Sequence, residues 1–135
     1  MKRRKAREIV LKALYSLEVS DGKSKEVISD LLERENINND LAAFTRKLFN
    51  STKNLASKAD KLIGENLLNW KIERVSSIER LILRMGIAEA IEFPDIPIQV
   101  TINEAVEIAK KYTSEKGSKF VNGLLDKILK EIRKK

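Results

Sequence analysis

Apolar residues recur every three or four positions along almost the whole chain, and this spacing limits the fold more than any other feature. It places apolar side chains on one side of an α-helix, whereas a half-buried strand needs strict alternation. Only two prolines, Pro94 and Pro97, and five glycines interrupt the pattern in 135 residues. The sequence therefore predicts an all-α fold, a helical bundle of about six or seven helices.

Turn and capping signals predict where several of these helices begin and end. The first helix is expected to stop at Asp21-Gly22, and Asn38-Asn39-Asp40 offers capping oxygens to the third. That third helix extends to Gly64, either continuous or broken. The last helix is expected to start near Gly117-Ser118.

Two sharper signals lie in the second half of the chain. Ser76 with Glu79, and Thr101 with Glu104, have the spacing of a capping box, which predicts a helix start at each place. Val100, just before Thr101, has the position of a hydrophobic staple. The helix from Ser77 to about Glu92 is apolar over most of its circumference, so it is predicted to be the central one.

The chain length predicts one domain over residues 1–135, with a helical half at about 1–65 and another at about 66–135. Residues 66–75, which include Trp70, lack clear periodicity and are expected to bridge the two halves.

Charge and composition narrow the function. Lys and Arg number 27 against 20 Asp and Glu, and the net charge of +7 favours a polyanionic partner, above all nucleic acid. The sequence has no His and no Cys, which removes imidazole catalysis, thiol nucleophiles and most metal ligation. We therefore expect no cofactor and no metal. Because charged residues interrupt the longest apolar stretch, residues 78–91, we also expect a cytosolic, non-membrane protein.

The basic residues are concentrated at the N-terminus, where six of them against Glu8 leave a net charge of +5 in twelve residues. Such a cluster can neutralise phosphates, or it can be a solvated, frayed terminus. Arg4, Lys12 and Tyr15 fall opposite the apolar arc of the first helix, an arrangement typical of single-stranded RNA binding by stacking and phosphate contact. Because Leu11 shares that side, Tyr15 could instead belong to the core.

Three further features have two interpretations each. Phe120 lies on the side of the last helix that carries Lys127, so it is either a second stacking platform or an edge-of-core ring. Arg80 and Arg84 form either salt bridges, which the sequence favours, or a groove for phosphates. Glu104 and Glu107 are not a metal or acid/base pair, because no His accompanies them.

Taken together, these segments resemble the family of the bacterial transcription antitermination factor NusB. The resemblance is carried by RRKARE at residues 3–8, ALYS at 13–16, ERLILR at 79–84, INEAVE at 102–107 and KFVNG at 119–123. It implies an all-α fold of two helical subdomains without catalytic activity. It also implies binding of the boxA element of ribosomal RNA leader transcripts, a single-stranded RNA, together with NusE, a small-subunit ribosomal protein.

The resemblance assigns roles to individual residues and to further partners. NusB, NusE and other Nus factors form an antitermination complex that supports processive transcription by RNA polymerase. The residues implied in RNA binding are Arg3, Arg4, Arg7, Tyr15, Arg84, Lys119 and Phe120. Those implied as anchors for the basic partner NusE are Glu79, Glu104 and Glu107.

Functions from other classes stay open at this point. The main alternative is an RNA-binding accessory domain of an rRNA-modifying system, which shares the helical pattern. A DNA-binding helical protein would need a recognition helix after a short turn, and the helix after Gly117 uses Val121, Leu124 and Leu125 for core. A membrane-surface module would use the first helix, whose apolar arc has no Trp or Phe.

Overall fold

The computed structural model describes residues 2–20, 23–67 and 72–134, and in these ranges the chain forms α-helices and one short 3₁₀ helix, with no strand. The α-helices are α1 (Lys2–Val19), α2 (Ser24–Arg34), α3 (Asn39–Asn54), α4 (Ala56–Asn66), α5 (Ser77–Glu92), α6 (Ile98–Tyr112) and α7 (Glu115–Arg133), and the 3₁₀ helix is Ile72–Arg74. The all-α prediction and the helix number are confirmed. In the same ranges, no helix is long and apolar enough to cross a membrane.

Three helices begin at a residue whose side chain caps the first turn. The Asn38 side chain accepts a hydrogen bond from the Leu41 amide at the start of α3. Ser76 does the same for α5, which confirms the predicted start of that helix. Its end at Glu92 is also confirmed, because Pro94 follows and the residue before a proline avoids helical geometry.

The predicted helix start at Thr101 is wrong. Helix α6 begins three residues earlier, at Ile98, because Pro97 adopts the extended conformation of an N-cap residue with φ −59° and ψ 138°. Thr101 lies inside the helix, and its hydroxyl donates a hydrogen bond to the buried Glu89 carboxylate, at 2.5 Å. Val100 is correspondingly exposed and forms no staple.

The start of the last helix also differs from the prediction. Helix α7 begins at Glu115, two residues before Gly117, because the Ser114 hydroxyl accepts a hydrogen bond from the Gly117 amide at 2.9 Å. Of the two alternatives for the third helix, the broken one is correct, since α3 ends and α4 begins at Leu55. The predicted turn at Asp21-Gly22 and the residue Trp70 lie outside the described residues.

Helix α5 is the centre of the molecule, as predicted. It packs against α1, α3, α4, α6 and α7. Gly86 lets α7 approach closely, because a Cβ at that position would lie 3.0 Å from a methyl group of Leu125. Since α5 contacts helices of both predicted halves, it joins them in one core, and the division near residue 65 stays a prediction.

Candidate nucleic-acid interface

The first turn of α1 carries the predicted arginine motif, and its members lie in different environments. Arg3 is exposed, with its guanidinium carbon 4.5 Å from the centroid of the Phe44 ring. Lys5 is also exposed and pairs with Glu35 at 2.7 Å. No carboxylate among the described residues forms an ion pair with Arg3.

Arg4 is held by a carboxylate from α6. Its Nε and Nη2 donate to the two carboxylate oxygens of Glu104, at 2.9 and 2.8 Å. Glu104 is 6% exposed. The hydrogen bonds from Arg4 lower the pKa of Glu104, against the opposing effect of burial. Glu104, predicted as an anchor for NusE, thus fixes the start of α1 to α6 in this structure.

Arg7 is turned into the protein. Its residue exposure is 4%, and its Nε and Nη2 donate to the Glu89 carboxylate at 2.7 and 2.9 Å. A second carboxylate oxygen, Oε1 of Glu104, lies 3.8 Å from Nη1. Arg7 as an RNA contact stays a prediction, and it requires the guanidinium to leave Glu89.

Glu89 is the residue of this network that carried no predicted role. It is 1% exposed on the central helix, and it accepts hydrogen bonds from Arg7 and Thr101. A carboxylate inside an otherwise apolar stretch needs a buried cation, because an isolated charge in the core is very costly. That signal was present in the sequence, but local spacing could not indicate which cation pairs with it.

Tyr15 lies on the surface. It is 40% exposed, although Leu11, one turn earlier, is buried. Neighbouring helices therefore cover α1 on two sides but leave Tyr15 at the surface. Two turns before Tyr15, Glu8 accepts hydrogen bonds from the Lys111 ammonium and the Tyr112 hydroxyl, both at 2.8 Å. These contacts place this side of α1 along the C-terminal end of α6.

The hydrogen bond to Glu8 also affects Tyr112. Burial, followed by the interaction with Glu8, raises the pKa of Tyr112 to about 12. The pKa of Glu8 is lowered, because the hydrogen bonds from Lys111 and Tyr112 outweigh the burial that acts against them. At neutral pH, the contact between α1 and α6 therefore joins the neutral phenol of Tyr112 to the charged carboxylate of Glu8.

Phe120 lies on the second turn of α7, half-buried and packed against the core. Its ring borders an open cleft of about 190 Å³. The other lining residues are Arg74, Val75, Glu79, Ser114, Lys116 and Gly117. Lys119, its neighbour in the sequence, is exposed and has no ion-pair partner among the described residues. Phe120 is thus both an edge-of-core ring and the wall of a cleft.

Arg84 is engaged in ion pairs, as the sequence favoured. Its Nε and Nη2 donate to the Asp60 carboxylate at 2.7 and 2.6 Å, and Glu18 lies 3.9 Å from Nη1. The hydrogen bond with Asp60 raises the pKa of Arg84. This arginine joins α1, α4 and α5, and its RNA contact stays a prediction.

The three acids predicted to anchor NusE lie in three environments. Glu104 is buried under Arg4, whereas Glu107 is exposed one turn later and pairs with Lys110 at 3.3 Å. Glu79 is half-buried in the cleft beside Phe120. Among these three, Glu107 is therefore the most accessible to a basic protein.

Several proteins of known identity are similar to this chain. A model of the NusB family matches residues 4–130. The transcription antitermination protein NusB of Thermodesulfovibrio yellowstonii is 44% identical, over 97% of this chain and 93% of its own length. A solved structure of T. maritima NusB covers 96% of this chain and 91% of that chain, with a TM-score of 0.87 and 38% identity.

A crystal structure of antitermination factors NusB and NusE in complex with dsRNA is also similar. Its matching chain has a TM-score of 0.86 and 30% identity, covering 96% of this chain and 97% of that chain.

Proposed function

Because the chain belongs to the NusB family, we propose that it is a transcription antitermination factor that binds RNA as a complex with NusE. The RNA is the boxA element of ribosomal RNA leader transcripts, held as a single strand. With other Nus factors, the complex supports processive transcription by RNA polymerase. The protein acts by binding and not by catalysis, without a cofactor, in the cytoplasm where transcripts are made.

One observation carries the RNA-binding part of this proposal: exposed cations and partly exposed aromatic rings lie on α1, α6 and α7. We define the RNA strip, a proposed RNA-binding surface, as Arg3, Lys12, Tyr15, Lys111, Lys119 and Phe120. Two contacts align α1 with α6, namely Arg4 with Glu104 and Glu8 with Lys111. Tyr15 lies seven residues beyond Glu8, about 10 Å further along α1, toward the turn that leads from α6 into α7.

The chemistry of the strip suits a single strand. Exposed cations neutralise phosphates and release counterions, while Tyr15 and Phe120 offer ring faces on which unpaired bases can stack. Arg4, Arg7 and Arg84 fix the position of α1, because their ion pairs with Glu104, Glu89 and Glu18 join α1 to α6 and α5. NusE would bind the second-half helices, where Glu107 is exposed to a basic partner.

The first experiment measures the affinity for a boxA RNA with and without NusE over a range of salt concentrations. We expect tighter binding when NusE is present, and a salt dependence with a slope of about −0.7 per phosphate contact. Equal affinity for boxA RNA, a scrambled single strand and duplex DNA would contradict the proposal.

The second experiment separates stacking from packing. Phe120→Leu should weaken RNA binding by about 1 to 3 kcal/mol, because an aliphatic side chain has no ring face. Phe120→Tyr is the matched control and should retain most of the affinity. If Phe120→Leu binds RNA normally, the ring serves the core and not the RNA.

The third experiment separates the strip from general basicity. Replacing Arg3 and Lys12 by Gln should weaken binding and flatten the salt slope, because two phosphate contacts are lost. The matched control replaces Lys130 and Lys134 at the far end of α7. Equal losses in the two double variants would point to nonspecific electrostatics.

A further inference from the structure

The cleft beside Phe120 has the size and chemistry of a site for one nucleobase. Its volume of about 190 Å³ is below the roughly 300 to 1,000 Å³ of drug-sized pockets, so it suits a single planar ring system. It lies where the start of α5, carrying Glu79, meets the start of α7, carrying Gly117 and Phe120. The walls therefore combine a ring, a carboxylate and exposed cations.

The carboxylate of Glu79 can lie in this cleft because Gly117 has no side chain. A Cβ at Gly117 would lie 2.7 Å from Oε2 of Glu79 and closer still to Oγ1 of Thr113, which is too close for a real side chain. Gly117 has an ordinary negative φ, so space, and not backbone conformation, is what a larger residue would lack here. The carboxylate occupies that space.

No described residue donates a hydrogen bond to the carboxylate of Glu79. The Glu79 amide donates a hydrogen bond to the Ser76 hydroxyl at 3.3 Å. The Glu79 carboxylate does not accept a hydrogen bond from the Ser76 amide, which a complete capping box would require. The carboxylate has no hydrogen bond and no ion pair with any described residue. Two acceptor oxygens are therefore available at the cleft.

The remaining walls fit the other parts of a nucleotide. Phe120 offers a ring for stacking, and Arg74 and Lys116 are exposed cations that can reach a phosphate. The same two cations disfavour a basic protein segment as the occupant. The combination of ring, acceptor pair and cations therefore favours RNA over protein in this cleft.

Among the bases, guanine matches the carboxylate best. Its Watson–Crick edge carries two adjacent donors, N1–H and the N2 amino group, which can meet two carboxylate oxygens side by side. Cytosine and adenine offer an amino group beside an acceptor, and uracil offers one N–H between two carbonyl oxygens. Single-stranded RNA is recognised through such exposed edges together with stacking.

We propose that Glu79 is a specificity-determining residue, which accepts hydrogen bonds from N1–H and N2–H of a guanine that lies against Phe120. This inference rests on the proposed function, because it assigns one base contact within the same RNA surface. It differs from the role that the family resemblance implied for Glu79, which was an anchor for NusE.

The test compares three RNA probes of about twelve nucleotides, a length within the usual range for single-strand sites. One is all uridine, one has a single central guanosine, and one has inosine there, which keeps the purine ring and N1–H but lacks the N2 amino group. We expect the guanosine probe to bind about tenfold or more tightly than the uridine probe, since a good bidentate base contact discriminates at that level. Inosine should lie between the two.

The variant Glu79→Gln should reduce the guanosine preference to less than about threefold, because the amide keeps only one acceptor oxygen. Gly117→Ala should have the same effect without a change of charge, since its Cβ displaces the carboxylate. Glu131→Gln is the matched control on α7, about 21 Å along the helix from Gly117, and should leave the preference unchanged.

The outcomes distinguish this inference from the function on which it rests. If no probe and no boxA RNA binds, with or without NusE, both fail. If RNA binds but guanosine and inosine are equivalent, or if Glu79→Gln keeps the full preference, the specificity role is wrong and the RNA function stands. If Glu79→Gln weakens only the affinity for NusE, the carboxylate is a protein anchor.

Discussion

Replacing Arg7 by methionine is expected to lower the free energy of unfolding by about 3 to 5 kcal/mol, the usual cost of removing one partner of a buried ion pair. Arg7 and Glu89 are 4% and 1% exposed, and two hydrogen bonds of 2.7 and 2.9 Å join them. Methionine fills a similar volume without a charge. Glu89 would then keep only the Thr101 hydroxyl as a donor.

The expected loss is large enough to measure by two methods. For a chain of this length, 1 kcal/mol corresponds to roughly 3 to 5 °C in Tm, so the variant should melt about 9 to 25 °C lower. A urea titration followed by circular dichroism gives the free energy directly. Arg34→Met is the matched control, because Arg34 is exposed and its replacement should cost less than about 0.5 kcal/mol.

A double variant tests the cause of the loss. If the uncompensated charge of Glu89 is responsible, Arg7→Met with Glu89→Met should recover much of the stability, because an apolar pair often replaces a buried ion pair without loss. The reasoning would be refuted by a single variant that loses less than about 1 kcal/mol, or by a double variant that loses the sum of the two single ones.

Three other outcomes follow from the same region and from α7. Thr101→Ala should lower the free energy of unfolding in a urea titration by about 1 to 2 kcal/mol, because Glu89 loses a buried hydrogen-bond donor, and not because a cap is lost; a change of a few tenths would contradict this. The hydrogen bonds from Arg4 lower the pKa of Glu104 below its ordinary 4.5, so the stabilisation is present above about pH 4.5 and is lost as pH falls through the lowered value. Melts between about pH 6 and 3 should therefore fall more steeply in the wild type than in Arg4→Gln, and parallel curves would exclude the coupling. Ser114→Ala should cost about 1 kcal/mol in a denaturant titration, since an amide at the start of α7 loses its acceptor, and no change would mean that the cap is not needed.

Local patterns predicted the elements of the fold, and their failures have physical causes. The capping signal at Ser76 predicted the helix start correctly because, among the described residues, the Ser76 hydroxyl has no other hydrogen-bond partner than the Glu79 amide. The same signal at Thr101 failed because the extended geometry of Pro97 starts α6 earlier and the hydroxyl donates to Glu89. The start of α7 was predicted too late, near Gly117-Ser118, because Gly117 marks a turn in the sequence, whereas the hydroxyl of Ser114 caps the helix.

The candidate site was predictable in its residue types but not in its pairings. The exposure of Tyr15 and the position of Phe120 follow from helical geometry around the apolar arcs. The ion pairs of Arg4 and Arg7 join residues 100 and 82 positions apart, which no local pattern can indicate. The free carboxylate of Glu79 likewise depends on α7 lying against the start of α5.

The long sequence separation of these ion pairs has a consequence during protein synthesis. Ribosomes add about 5 to 20 residues per second, so Glu104 is joined to the nascent chain about 5 to 20 seconds after Arg4, which precedes it by 100 residues. During that interval the arginines of α1 have emerged without the carboxylates that later hold them. The arginines of α1 are therefore synthesised well before the carboxylates that hold them in the folded protein, and Arg7 can enter the core only after Glu89 of α5 has been added.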